Sequence, residues 1–127
     1  MKEKLIALLN NAYSPYYKFP VAAIVTTKDG NFFNGVNVEN ANGTSICAER
    51  NAIANAVSAG YKKGDFDKIY LMLANGSFGT PCFACRQVIL EFFNHTDEII
   101  SVSKNGETKT YTVDELCPHA FSSEDLK

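Results

Sequence analysis

Three cysteines in two short stretches constrain this chain more than anything else in it. One stretch is Cys47-Ala48-Glu49-Arg50 and the other is Pro81-Cys82-Phe83-Ala84-Cys85-Arg86. Three thiolates and one open position are what a catalytic zinc ion takes, because zinc prefers four tetrahedral ligands and keeps the fourth for water. Glu49, two residues after the first cysteine, is placed to move protons to and from that water. Cys82 and Cys85 are spaced i, i+3 and share a face if they lie on a helix. Pro81 suits a first helical position and Thr80 an N-cap before it. Cys47 follows the Asn42-Gly43-Thr44-Ser45 loop and opens a second helical pattern. Both groups therefore fall at helix starts, where the positive end of the helix dipole favours thiolate. A helix turns about 100° per residue, so Cys47 and Glu49 converge only where the backbone is not yet helical.

The rest of the chain supplies a frame for these helices. Leu5, Leu8, Leu9 and Ala12 predict an amphipathic helix over 2–13, ended by Ser14-Pro15. Val21–Thr27 and Phe32–Val36 read as strands joined at Lys28-Asp29-Gly30-Asn31, with Asp-Gly as the hairpin signal. An alanine-rich helix follows from about Cys47 to Ala59 and stops at Gly60. Ile69–Ala74 is nearly all apolar, as a central strand buried on both faces would be. Cys82–Phe93 is the third helix. Ile99–Ser103 and Thr108–Thr112 flank Asn105-Gly106, a two-residue hairpin signal, and Thr112–Glu115 reads as a capping box. Alternating helices and strands predict an α/β fold, a mixed sheet covered by helices. A chain of 127 residues suits a single domain spanning 1–127.

Cys-Ala-Glu followed by Pro-Cys-x-x-Cys resembles the zinc-dependent cytidine deaminases, in their small form with three cysteine ligands. Tyr13 to Pro20, Asn37-Val38-Glu39-Asn40-Ala41, Ile46 to Arg50, Pro81 to Val88 and Ala120-Phe121 resemble the family's segments in the family's order. The resemblance implies a three-layer α-β-α fold with a five-stranded mixed sheet. It implies one Zn²⁺ per subunit on Cys47, Cys82 and Cys85, with Glu49 as proton shuttle. It implies that Arg50 donates to the ligand sulfurs and offsets their charge. Phe19 would line the nucleoside pocket, Asn37 and Glu39 would meet the ribose, and Ala48 would offer backbone groups to the base. Phe121 would reach a neighbouring subunit's site, which implies a homotetramer with shared active sites. The activity implied is hydrolytic deamination of cytidine and deoxycytidine to uridine and deoxyuridine plus ammonia, by zinc-bound hydroxide, in pyrimidine salvage. Phe83 and Ala22 stand where relatives usually have glycine. Phe83 is expected either to narrow the pocket beside the zinc or to fill a gap in the core.

Three other readings compete. Blasticidin S deaminases share the zinc motif, and the short loop before Cys47 leaves room for a different sugar. A structural Cys₄ zinc module would take Cys117 as fourth ligand and carry no water. A redox Cys-x-x-Cys would need neither Cys47 nor Glu49. The net charge of −2 and a longest basic run of Lys62-Lys63 give no reason to bind nucleic acid. No stretch approaches the roughly 20 apolar residues of a membrane span. The first residues show no secretory cleavage signal, and four cysteines without one point to a reducing cytoplasm and to metal binding.

Overall fold

A computed structural model describes all residues, 1–127. Five strands form one sheet: β1 (Val21–Thr27), β2 (Phe32–Val36), β3 (Phe66–Leu73), β4 (Glu98–Val102) and β5 (Thr108–Thr112). Their order is β2-β1-β3-β4-β5, parallel only between β3 and β4. The apolar run expected to be a central strand is indeed the middle one. It begins at Phe66 rather than Ile69, because Phe66 pairs with Thr27 across a register shift and is fully buried.

Side chains alternate across a strand, and here the alternation sorts the core into two layers. Ala22 and Ile24 of β1, with Met72, Ile100 and Val102, meet Leu5 and Leu9 of α1 (Lys2–Leu9). Ala23 and Val25 of β1, with Phe66, Ile69 and Ile99, face the opposite way. They pack against Ala52, Ile53 and Ala56 of α2 (Ala48–Ser58), Ile89 and Phe93 at α3 (Phe83–Phe92), and α4 (Val113–Leu116). The sheet is thus the middle of three layers.

Close packing of α2 on the sheet edge positions the site. Ala48, Ala52 and Ala56 recur every four residues and are fully buried. Opposite them is Gly35, where a Cβ would lie 2.2 Å from the Ala48 carbonyl oxygen and 2.4 Å from the Ala52 nitrogen. The same helix covers the outer edge of β2: Asn51 Nδ2 donates to Val36 O at 3.0 Å and Asn55 Nδ2 to Asn34 O at 2.7 Å. Those carbonyls would otherwise be open to pairing with another chain.

Helix boundaries also differ from the sequence expectation. α1 ends at Leu9 rather than near Tyr13, because Tyr13 is drawn into a parallel bridge with Val38 and donates to Asn37 O. The next two helices begin one residue after their first cysteine. Cys47 (φ −76°, ψ 156°) and Cys82 (φ −64°, ψ 163°) are extended N-caps. Thr80 is therefore not a cap and Pro81 precedes the helix. Neither cysteine makes a side-chain capping bond. A Ser or Asp there would be worth about 1 kcal/mol, so both helices forgo a local gain to present sulfur. The capping box at Thr112–Glu115 is present, with Thr112 Oγ1 accepting from Glu115 N and Glu115 accepting from Thr112 N. Gly106 takes φ 93° in the last hairpin, but Ser103 N–H to Glu107 O closes a turn longer than two residues.

Candidate active site

Helices α2 and α3 begin at a common point. The sulfurs of Cys47, Cys82 and Cys85 all lie within 4.8 Å of one another, with Cys47 and Cys82 at 3.5 Å. Zinc–sulfur bonds of about 2.3 Å at tetrahedral angles set sulfurs about 3.8 Å apart, so the donor set fits one zinc ion. Cys82 caps α3 and Cys85 sits one turn in, fully buried. The convergence of Cys47 with Glu49 has the expected cause, an extended Cys47 before the first turn.

Burial pushes the Cys47 thiol up, opposed by the Arg50 hydrogen bond, and it pushes Cys85 up with help from Glu49 and the other thiols. Burial also acts to raise Cys82, but the Cys85 backbone N–H and the neighbouring thiols outweigh it and leave Cys82 lowered. Taking up a cation as thiolates must then release protons. Arg50 Nη2 donates to Cys47 Sγ at 3.4 Å and to Ser45 O at 3.4 Å. Its Nε–H is buried without a protein partner. The Cys47 hydrogen bond raises the Arg50 pKa further still, against the effect of burial, so a permanent positive charge stands beside the sulfurs.

A cavity of about 350 Å³ opens onto this cluster, a size suited to a small ligand. Glu49 lines it, 4% exposed, with no partner from another residue's side chain. Burial raises its carboxyl above the ordinary range, against its own backbone N–H and the Arg50 charge. Phe19, Asn37, Glu39 and Ala48 line the same cavity, so these four expected residues meet there. Phe121 does not. It is 57% exposed and borders a separate groove with Phe83, Arg86 and Cys117.

Asn37 and Glu39 are less free than expected. Glu39 Oε1 accepts from the Tyr16 and Tyr17 amides at 2.9 and 3.2 Å, and Oε2 accepts from Ser14 Oγ at 2.5 Å. Asn37 Oδ1 accepts from Val21 N at 2.8 Å and Nδ2 donates to Phe19 O at 2.9 Å. Phe83 corrects both expectations made for it. It is 78% exposed, outside the cavity and the core, and lies 4.4 Å beneath the Arg86 guanidinium.

Sequence reasoning missed several residues. Val21, Leu71 and Leu73 form an apolar wall, and the unbroken apolar run of β3 hides which of its residues face a cavity. Arg86 fastens the entry to α3: Nε donates to Pro81 O at 2.8 Å, Nη1 to Leu116 O at 2.8 Å, and Nη2 to Thr80 Oγ1 at 2.9 Å. From β4, Ser101 Oγ accepts from Gly79 N at 3.0 Å. Arg86, in the cysteine motif, reads from the sequence as a structural residue, and its acceptors agree; only position in the fold reveals those acceptors and the part of Ser101.

Cys117 lies outside the cluster, its thiol directed at Arg86 O at 3.8 Å. No fourth cysteine closes the site. Cys117→Ser is expected to keep one zinc per chain, as metal analysis after exhaustive dialysis would record. Loss of zinc in that variant would restore the four-cysteine reading.

Comparison with known proteins agrees with this geometry. The model of the cytidine and deoxycytidylate deaminase zinc-binding region matches residues 1–102. A cytidine deaminase of Sporosarcina psychrophila is 41% identical, over 98% of this chain and 93% of that protein. A crystal structure of cytidine deaminase from Burkholderia pseudomallei superposes with a TM-score of 0.88 at 38% identity, covering 94% of each chain. A blasticidin-S deaminase of Bacillus cereus is 33% identical, over 83% of this chain and 79% of that protein.

Proposed function

Because the chain belongs to the cytidine deaminase family, we propose that Glu49 is its proton shuttle and that Cys47, Cys82 and Cys85 hold its zinc. The enzyme hydrolyses the exocyclic C–N bond of cytidine, giving uridine and ammonia. The observation that carries the assignment of roles is one buried carboxylate, with no partner from another residue's side chain, on the same cavity as a three-sulfur cluster.

When bound, zinc supplies Lewis acidity that brings the pKa of water in contact with it down toward neutrality. The protein's own groups do the rest. Glu49 takes the proton that the attacking water gives up and passes it to N3 of the base. It then carries the second proton, from the hydroxyl added at C4, to N4, so that the C4–N4 bond breaks with release of ammonia and C4 becomes a carbonyl. Its raised pKa suits it to hold a proton between these transfers. Arg50 offsets part of the negative charge of three thiolates. Ala48 contributes backbone groups to the base, and Phe19 forms a wall of the nucleoside pocket. Asn37 and Glu39 recognise the sugar.

The lining favours a nucleoside over a nucleotide. It contains no lysine, arginine or histidine and has two carboxylates, Glu39 and Glu49. A 5′-phosphate would enter without a counter-charge. Deoxycytidine fits the same description. We further place the protein in the cytoplasm, in pyrimidine salvage, as one domain per chain and as a homotetramer. Four unpaired cysteines favour a reducing compartment, and no helix is long and apolar enough to cross a membrane. Exposed Phe83 and Phe121 along one groove favour a covering subunit, with Phe121 reaching the neighbour's site.

Ammonia release from cytidine, deoxycytidine, cytidine 5′-monophosphate and blasticidin S tests the assignment. Turnover of the first two and neglect of the nucleotide are expected. Turnover of blasticidin S alone would transfer the substrate to the antibiotic, and turnover of none would sink the enzyme reading.

A further inference from the structure

We propose that Ser14 is a positioning residue for sugar recognition, its hydroxyl holding the Glu39 carboxylate so that one acceptor site faces a 2′- or 3′-hydroxyl of the sugar. This rests on the reading of Glu39 as a sugar-binding residue.

An ionised carboxylate offers about four acceptor sites. Three are occupied by the chain itself, two on Oε1 by the Tyr16 and Tyr17 amides and one on Oε2 by Ser14. One site remains, on Oε2. Burial acts to raise the Glu39 carboxyl, but the bonds from Ser14, Tyr17 and Tyr16 prevail and hold it below the usual value, so it is an acceptor at neutral pH. The carboxylate is nearly buried, 6% exposed, yet lines the cavity.

The Ser14 hydroxyl has a defined direction. Its oxygen accepts from Phe19 N at 2.9 Å, and its proton goes to Glu39 Oε2. Phe19 is a cavity wall, and its carbonyl is gripped by Asn37 Nδ2. Ser14 therefore links the wall, the carboxylate and, through Phe19, the carboxamide into one assembly. Removing its hydroxyl would leave Oε2 with two open acceptor sites and no partner of its own, the carboxylate then being held through Oε1 alone. A free carboxylate oxygen still accepts a sugar hydroxyl, but it must be ordered at the time of binding. The loss should therefore fall on sugar recognition and spare the base.

A substrate without the 2′- and 3′-hydroxyls isolates that effect. Steady-state kinetics of the zinc-loaded enzyme would compare cytidine with 2′,3′-dideoxycytidine for wild type, Ser14→Ala and Glu39→Gln. Wild type should prefer cytidine. Ser14→Ala should raise KM for cytidine roughly five- to twentyfold at similar kcat, the range of a partly lost hydrogen bond to a charged group. For dideoxycytidine the change should stay within about twofold. Equal losses on both substrates, or none on either, would overturn the proposal. The two readings fail differently. If wild type and Glu39→Gln each treat the substrates alike, Glu39 does not read the 2′- and 3′-hydroxyls and Ser14 falls with it. If Glu39→Gln loses the preference while Ser14→Ala keeps it, only the role of Ser14 is lost.

Discussion

Glu49→Gln is expected to lower turnover of cytidine by about three orders of magnitude while zinc content stays at one per chain. The amide keeps the shape and the hydrogen-bonding capacity of the side chain but cannot accept and return a proton at neutral pH. Water must then give up both of its protons, one to N3 and one to N4, without a positioned group. General acid–base catalysis by one residue is worth about 10²–10⁴-fold, and Glu49 is proposed to serve several transfers in one turnover. The fold should survive. Glu49 is 4% exposed and has no side-chain partner to lose, and a neutral amide costs less to bury than a carboxylate. The melting temperature should be unchanged or higher, as when a strained functional group is removed. Turnover, metal content and melting temperature would be measured on the same preparation. An unimpaired rate would remove the shuttle role, and loss of zinc with the rate would make Glu49 a structural support of the cluster.

The second large effect lies outside the site. In Gly35→Ala the new methyl would stand 2.2 Å from Ala48 O, 2.4 Å from Ala52 N and 2.8 Å from Ala52 Cβ. Two of these are backbone atoms of α2, so no rotamer change relieves the clash. Gly35 does not occupy the left-handed region, and the cost is one of space alone. α2 must move off β2 or the strand must bend. Overpacking of this kind costs about 1–3 kcal/mol, and a helix backbone as the obstacle places it toward the upper end. Turnover should suffer more than stability, because the N-terminus of α2 carries Glu49 in its first turn and Cys47 as its cap. A displacement of about 1 Å at reacting groups can cost about 10²-fold. The expected result is a folded protein with a lower melting temperature, weaker zinc retention against a chelator, and turnover reduced about a hundredfold or more. Wild-type stability and rate would show that α2 does not pack on Gly35 at this distance.

These two residues mark the boundary between what was legible in the chain and what was not. Glu49 stands two places from a cysteine, in a motif whose chemistry can be argued from residue types. Gly35 sits in a strand with no local signal, and its partners are 13 and 17 positions on. The sheet order decides that they meet.

The same division runs through the molecule. The strands β1, β2 and β5, the capping box at Thr112 and the Cys82–Cys85 pair were readable because each depends on neighbours within a few residues: alternation, turn chemistry, ligand spacing. The helix starts were misplaced by local rules. Thr80 and Pro81 have good cap and first-turn propensities, worth about a kilocalorie, but converging three sulfurs requires Cys47 and Cys82 to be extended. The end of α1 was misplaced for a like reason, since a bridge to Val38 captured Tyr13. Glu39 and Asn37 were recognised as residues of the site, yet their attachment to Ser14, Phe19 and Val21 was invisible, as was the Arg86 fork onto Leu116. The chain by itself determined which atoms can bind zinc and move protons. Tertiary structure alone decided how those atoms are held, because the contacts that hold them join segments that only the sheet brings together.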